Sequence, residues 1–152
     1  MRRFPIAAIA GVCCALVAGA STALADGPTK IPLPAPSHQV LIGSCSFPVV
    51  VDVLVNDEFG IFFDNYFIVA GRLVYRLTHG AVSLVENISG PAKIVPHSDG
   101  TVTVYGRGAG LVPSPGHLWL ATGNSVVEVA ADGTQILVST RGTVQDLCGA
   151  LS

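Results

Sequence analysis

The sequence has few charged side chains and no surplus of basic ones. Only 12% of its 152 residues are charged, and eight basic residues stand against ten acidic ones, for a net charge of −2. Nucleic-acid binding normally depends on a strongly basic surface, so we expect no nucleic-acid partner. Half of the residues are hydrophobic, and this excludes a disordered or collagen-like chain.

Motifs for catalysis and metal binding are also lacking. His79, His97 and His117 lie far apart in the sequence, so none forms an H-x-H or H-x-x-x-H pair suited to a metal. We interpret them as solvated turn residues and predict no metal and no cofactor. The adjacent Asp57 and Glu58 would point apart, as solvated turn charges, instead of facing each other across a cleft. A binding protein is therefore a better expectation than an enzyme.

Residues 1–25 have the pattern of a cleaved secretory signal peptide. Arg2 and Arg3 precede an apolar run over residues 6–20, and Ala23-Leu24-Ala25 matches the A-x-A cleavage pattern. We predict cleavage after Ala25, with an uncleaved membrane anchor as the alternative. The chain that remains carries six basic and ten acidic groups, a net charge of −4, and contains no run long enough to span a membrane. The expected location is secreted or associated with the cell envelope.

Two cysteines, Cys45 and Cys148, remain after that cleavage. An exported protein enters an oxidising compartment, so we predict a disulfide between them that closes a single domain over residues 41–152. A redox or metal-binding thiol pair would be closer in sequence. We predict an extended leader over residues 26–40. Its stretch 26–37 contains four prolines, which favour a polyproline-like conformation and exclude strand or helix there.

Alternation of apolar and polar side chains predicts an all-β domain. The valines at alternate positions of 49–55 would share one face of a strand, and similar short runs recur as far as residue 138. Dipeptides such as Asp99-Gly100 and Asp132-Gly133 separate the runs and favour tight antiparallel hairpins. We predict an antiparallel meander of about seven to nine strands, with a small barrel preferred over a two-sheet sandwich.

Three glycines, Gly106, Gly108 and Gly110, alternate with Arg107 and Ala109. No convincing helix follows them, so they do not form a phosphate-binding loop. We interpret them as structural glycines that permit a bulge, a sharp bend or a close backbone approach.

Five aromatic residues are concentrated within nine positions. Their spacing is helical, yet Asp64-Asn65 in the middle of the segment also suits a turn. We favour a hairpin over a helix, with strands near Phe59 to Phe63 and Tyr66 to Ala70. The five residues are Phe59, Phe62, Phe63, Tyr66 and Phe67.

Aromatic rings that line the inside or the mouth of a small barrel would suit a lipophilic ligand. The alternative is that they pack in an ordinary core. The candidate lining residues are Phe62, Phe63, Phe67, Tyr75 and Trp119.

Four stretches carry a family resemblance: Cys45-Ser46-Phe47-Pro48-Val49-Val50-Val51, Asn87-Ile88-Ser89-Gly90-Pro91, Asp99-Gly100-Thr101-Val102-Thr103-Val104 and Asp146-Leu147-Cys148-Gly149-Ala150-Leu151. Together they resemble small secreted proteins of actinobacteria, a family without an assigned function. The resemblance spans roughly Leu41 to Leu151. It implies export and one disulfide, and it implies no catalytic residues.

These observations predict a secreted, non-enzymatic β domain that binds an apolar small molecule or a cell-envelope component. One alternative is a protein-binding or structural module of the envelope. The other is a secreted hydrolase whose site is assembled from His79, His97 or His117 and an acidic residue.

Overall fold

Most of the chain is β structure in the computed structural model, which describes residues 28–152. The predicted signal peptide and the cleavage after Ala25 lie outside the described residues. Residues 28–152 form twelve strands and one short helix: β1 (Lys30–Pro32), β2 (His38–Leu41), β3 (Val49–Asn56), β4 (Phe59–Phe62), β5 (Phe67–Ala70), β6 (Leu73–His79), β7 (Val82–Asn87), β8 (Ala92–Pro96), β9 (Val102–Ser114), β10 (His117–Val129), β11 (Gln135–Arg141), β12 (Val144–Asp146) and α1 (Leu147–Ala150).

The strands form two antiparallel sheets. The larger sheet has the order β1-β4-β5-β8-β9-β10-β11. The strand β12 also pairs with β10, on the same edge as β11 but nearer the start of β10. The smaller sheet has the order β2-β3-β6-β7. The chain passes between the sheets after β1, β3, β5 and β7, and neighbouring strands within each sheet are joined mostly by hairpins.

The prediction of an all-β, antiparallel domain is confirmed. The preference for a closed barrel is not, because the strands formed by residues 28–152 belong to two sheets whose end strands do not pair with each other. The strand count also exceeds the predicted seven to nine, since short strands such as β1 and β12 contain only three residues. Apolar alternation is the same on the inner face of a barrel and of a sandwich, so it did not distinguish them.

The prediction that the proline-rich stretch 26–37 contains no strand is wrong, because residues 30–32 form β1. Lys30–Pro32 pairs with β4 at the edge of the larger sheet, and His38–Leu41 pairs with β3. Proline is tolerated at an edge because it has no N–H to donate to a further strand. Leu33 continues the attachment: its N–H donates to the Glu58 carbonyl at 3.0 Å, and its carbonyl accepts from the Asn56 amide at 2.8 Å.

A long hairpin, β9–β10, forms the centre of the larger sheet. Each of its strands has 13 residues, and the turn between them contains Gly116 at φ +79°. Gly108 and Gly123 lie directly opposite each other in this hairpin, both with positive φ. A Cβ on Gly108 would lie 2.9 Å from the carbonyl oxygen of Ser89. Gly108 therefore permits a close backbone approach, which is one of the roles predicted for the three glycines.

The main core lies between the smaller sheet, the start of β10 and α1. Its largest fully buried side chains come from β3, β6, β10 and the segment around α1, and a core of this kind stabilises the domain through the apolar area removed from water. These side chains are Leu77, Leu118, Leu147, Leu151, Val49 and Val51.

A disulfide joins Cys45, in the loop after β2, to Cys148 in α1, with a Cα–Cα distance of 5.5 Å. The predicted pairing is thus confirmed. Asp146 caps the N-terminus of α1 by accepting a hydrogen bond from the Cys148 N–H. Across residues 28–152, no helix has the length and apolar character needed to cross a membrane.

Candidate functional site

The structure brings three of the five predicted lining residues together and places the other two elsewhere. Phe62, Phe63 and Phe67 belong to the β4–β5 hairpin, residues 59–70, which we call the aromatic hairpin. Tyr75 lies on β6 in the smaller sheet. Trp119 lies on β10 and stacks on the His117 ring at a centroid distance of 4.4 Å. The five rings therefore do not form one lining.

The aromatic hairpin carries two stacked ring pairs. Phe62 and Phe67 are directly opposite across the hairpin, and their rings stack at 5.2 Å. Phe63 and Tyr66 stack at 4.6 Å, and the Phe63 N–H donates to the Tyr66 carbonyl at 2.9 Å. Even so, Phe62 is 49% exposed and Phe63 43% exposed. The tip is thus an ordered aromatic surface on which Phe62 and Phe63 remain about half exposed to water.

Strand register places both lysines of the sequence on one face of this part of the sheet. Directly opposite residues share a face, and the register runs Lys30, Ile61, Ile68, Lys93, Tyr105 across five strands. We call this row the lysine face.

Each lysine of that row also lies over an aromatic ring. The Lys93 Nζ is 4.3 Å from the centre of the Tyr66 ring, and the Lys30 Nζ is 4.6 Å from the centre of the Phe59 ring. Such cation–π contacts hold an ammonium group beside an apolar surface. The Phe63–Tyr66 stack therefore belongs to the same side as the lysine face.

The opposite face of the larger sheet borders a cavity of about 190 Å³. Its walls are mostly apolar, and they include Val69, Val104 and Val127. Gly106 and Gly110 contribute no side chains to it, and a Cβ on Gly110 would meet no atom within 4 Å. Ligand sites for drug-sized molecules usually measure about 300–1,000 Å³, so this cavity is small for a lipophilic ligand.

Glu58 borders the cavity, contrary to the prediction that it is a solvated turn charge. Burial raises the pKa of the Glu58 carboxyl above its ordinary value. The pKa of Tyr75 is raised as well, by burial first and then by the negative charge of Glu58. Its neighbour Asp57 is exposed, as predicted. Sequence alone gave no signal for this difference, because both residues follow the same strand.

The three histidines that were candidates for a hydrolase site lie in separate parts of the structure. His79 contacts the Pro48 carbonyl at 3.2 Å, and His97 contacts the Thr103 hydroxyl at 2.8 Å. His117 Nδ1 lies 2.7 Å from a carboxylate oxygen of Asp146. No group of three or more potential metal ligands occurs within residues 28–152.

The serine hydroxyl directly opposite the His117–Asp146 pair is not accessible. Ser114 is directly opposite His117 in the β9–β10 register, but its hydroxyl is buried and has no hydrogen-bond partner among residues 28–152. A buried hydroxyl cannot reach a substrate. Asp146 also accepts hydrogen bonds from the N–H groups of Leu118 and Cys148, so its geometry fits a structural role at α1.

Comparison of the chain with protein families, with curated proteins and with solved structures finds no match. The geometry of the described residues therefore carries the functional argument alone. Two features stand out in it, the exposed aromatic hairpin with its lysine face and the small cavity beside Glu58.

Proposed function

We propose that this chain is an exported, non-enzymatic β domain that binds a component of the cell envelope through the aromatic hairpin. The observation that carries the proposal is the exposure of Phe62 and Phe63 at an ordered tip. Exposed aromatic clusters mark interaction surfaces in soluble proteins. The Cys45–Cys148 disulfide is compatible with an extracellular location. Membership in the actinobacterial secreted family that the sequence resembles is part of the same proposal.

The hairpin is favoured over the cavity as the binding site for two reasons. The cavity, at about 190 Å³, is smaller than typical ligand sites, whereas Phe62 and Phe63 are accessible without any rearrangement. The stacks and the backbone pairing also order the tip before binding, so little conformational entropy is lost on association.

Retention in the envelope tests the proposal. The double variant Phe62→Ser/Phe63→Ser removes the exposed rings, and we expect at least a tenfold loss of protein from the envelope fraction of secreting cells, relative to culture medium. The matched control is Ile136→Ser/Val138→Ser on β11, because both residues are exposed apolar side chains, at 54% and 52%. Unchanged retention of the Phe62→Ser/Phe63→Ser variant, with the disulfide intact, would overturn the proposal.

A further inference from the structure

We propose that the envelope component bound by the aromatic hairpin is the anionic surface of a lipid bilayer, and that the lysine face lies against it. This inference rests on the proposed function, since it names the partner of the same surface. The chemistry has two parts: rings at the hairpin tip, and ammonium groups placed where lipid phosphates would be.

The rings provide the apolar part. Phe63 and Tyr66 stack on the side of the lysine face at the tip of the β4–β5 hairpin, and Phe62 lies on the reverse side of the same tip. Phe62 and Phe63 are each about half exposed. Aromatic side chains favour the boundary between lipid headgroups and acyl chains, where an apolar ring can leave water without deep insertion. A hairpin tip can enter that boundary while its backbone groups stay paired, because the Phe63 N–H already donates to the Tyr66 carbonyl.

The lysines provide the charged part, and their placement is specific. Lys30 and Lys93 are the only lysines in the sequence, and both lie on the lysine face, on the two sides of Ile61 and Ile68. After the predicted cleavage the chain has a net charge of −4, so a uniformly anionic partner would be repelled by most of the molecule. Asp64 at the hairpin tip is also acidic. The two lysines therefore give this face a local positive charge that can orient the bound domain on a negative surface.

The cation–π contacts hold both ammonium groups over aromatic rings on the same side of the sheet. Lys93 lies over Tyr66 and Lys30 over Phe59, at 4.3 and 4.6 Å. Long lysine side chains cover apolar surface with their methylene groups and present the ammonium at its rim. A flat bilayer surface would therefore meet two ammonium groups with apolar residues between them.

The test is sedimentation of the purified, disulfide-bonded chain with vesicles of phosphatidylglycerol and phosphatidylcholine, compared with vesicles of phosphatidylcholine alone. We expect binding to the anionic vesicles and at least a tenfold weaker affinity for the neutral ones. The variant Lys30→Gln/Lys93→Gln should lose roughly thirtyfold in affinity, from about 1 kcal/mol per basic residue at an anionic surface. Raising the salt to about 1 M should have a similar effect, because it shortens the Debye length to about 3 Å.

Two controls separate charge placement from total charge. Lys30→Arg/Lys93→Arg keeps both positive groups and should retain binding. Arg72→Gln/Arg76→Gln removes two exposed basic groups, one just before β6 and one on β6 of the smaller sheet, and should bind as the unaltered chain does. Equal binding to neutral and anionic vesicles, or equal losses for the lysine and arginine pairs, would overturn the inference.

Failure here is distinguishable from failure of the proposed function. The chain could fail to bind anionic vesicles while the Phe62→Ser/Phe63→Ser variant still loses envelope retention. In that case the partner is a protein or polysaccharide of the envelope, and the lipid inference is wrong. If the Phe62→Ser/Phe63→Ser variant is retained normally, the aromatic hairpin is not the binding site, and both proposals fail.

Discussion

Asp146 stabilises the segment around α1 through three hydrogen bonds made by one side chain. Its carboxylate pairs with His117 at 2.7 Å and accepts from the N–H groups of Leu118 and Cys148 at 3.3 and 3.1 Å. Burial acts to raise the pKa of Asp146, but the hydrogen bonds from His117, Cys148 and Leu118 outweigh it, so the pKa lies below its ordinary value. The ionised form is therefore the one the folded domain prefers.

Replacing Asp146 by Ala should lower the free energy of unfolding by about 1 to 3 kcal/mol, since α1 loses its N-cap and two backbone N–H groups lose an acceptor. Urea unfolding with the disulfide intact measures this loss. Asp64→Ala, in the exposed loop of the aromatic hairpin, should change stability little. A loss no larger than that of Asp64→Ala would contradict the role given to Asp146.

The lowered pKa of Asp146 predicts that the domain loses stability in acid. The pKa of Asp146 is lower in the folded chain than in the unfolded one. Its ionised carboxylate therefore stabilises the fold fully above a pH of about 4, and this stabilisation is lost as the pH falls through the folded pKa. Asp146→Asn should therefore be less stable than the unaltered chain at neutral pH, and the difference should shrink on acidification. A difference independent of pH would contradict this assignment.

The pKa of Glu58 is shifted in the opposite direction to that of Asp146. Its folded pKa is raised by burial, so the ionised carboxylate costs stability at neutral pH, and the cost disappears as the pH falls below the ordinary value. Glu58→Gln should raise the free energy of unfolding at neutral pH by less than about 1 kcal/mol, because the group is still partly solvated. Urea unfolding at neutral and acidic pH checks this, with the exposed Glu128→Gln as control. A Glu58→Gln variant less stable than the control would contradict it.

At the scale of elements, β9 contains one glycine that the backbone conformation requires and another that only leaves empty space beside the strand. Gly108 adopts φ +107°, and a Cβ there would crowd the Ser89 carbonyl, whereas a Cβ on Gly110 would meet nothing within 4 Å. Both positions belong to the same strand and border the same cavity. They therefore form a matched pair in which only backbone conformation and crowding differ.

Gly108→Ala should destabilise the domain by about 1 to 3 kcal/mol, because alanine resists positive φ and the Ser89 backbone would have to move. Gly110→Ala should be neutral or stabilise by up to about 1 kcal/mol, since it restricts the unfolded chain without strain in the folded one. Thermal and urea unfolding of the two variants measure the contrast. Equal effects would show that the bend at Gly108 is not needed for the fold.

At the scale of the whole molecule, local sequence patterns predict much of the fold. The valines of 49–55 predict a strand that forms as β3, and Asp64-Asn65 indicates a hairpin that forms as β4–β5. Two cysteines in the expected mature chain predict the disulfide. Each of these depends on side-chain alternation, turn chemistry or simple pairing, which are readable without knowing what lies across the core.

What the sequence does not predict depends on contacts between distant segments. In the sequence, Tyr75 and Trp119 lie in strands with the usual alternation of apolar and polar residues. Tyr75 is distant from the aromatic hairpin only because β6 belongs to the smaller sheet, and the local sequence does not predict that assignment. Glu58 borders a cavity because β9 and β10, which lie much later in the chain, present small side chains to it. The row of two lysines likewise exists only through the register of five strands.

The disulfide has a consequence for how the domain responds to proteolysis. Cys45 and Cys148 are separated by 103 positions, so nearly every exposed loop and hairpin turn lies between them. A protease that cuts one of these loops produces two polypeptides that remain covalently attached until the bond is reduced. The domain can thus be nicked once without shedding a fragment, and the aromatic hairpin stays tethered to the rest of the molecule.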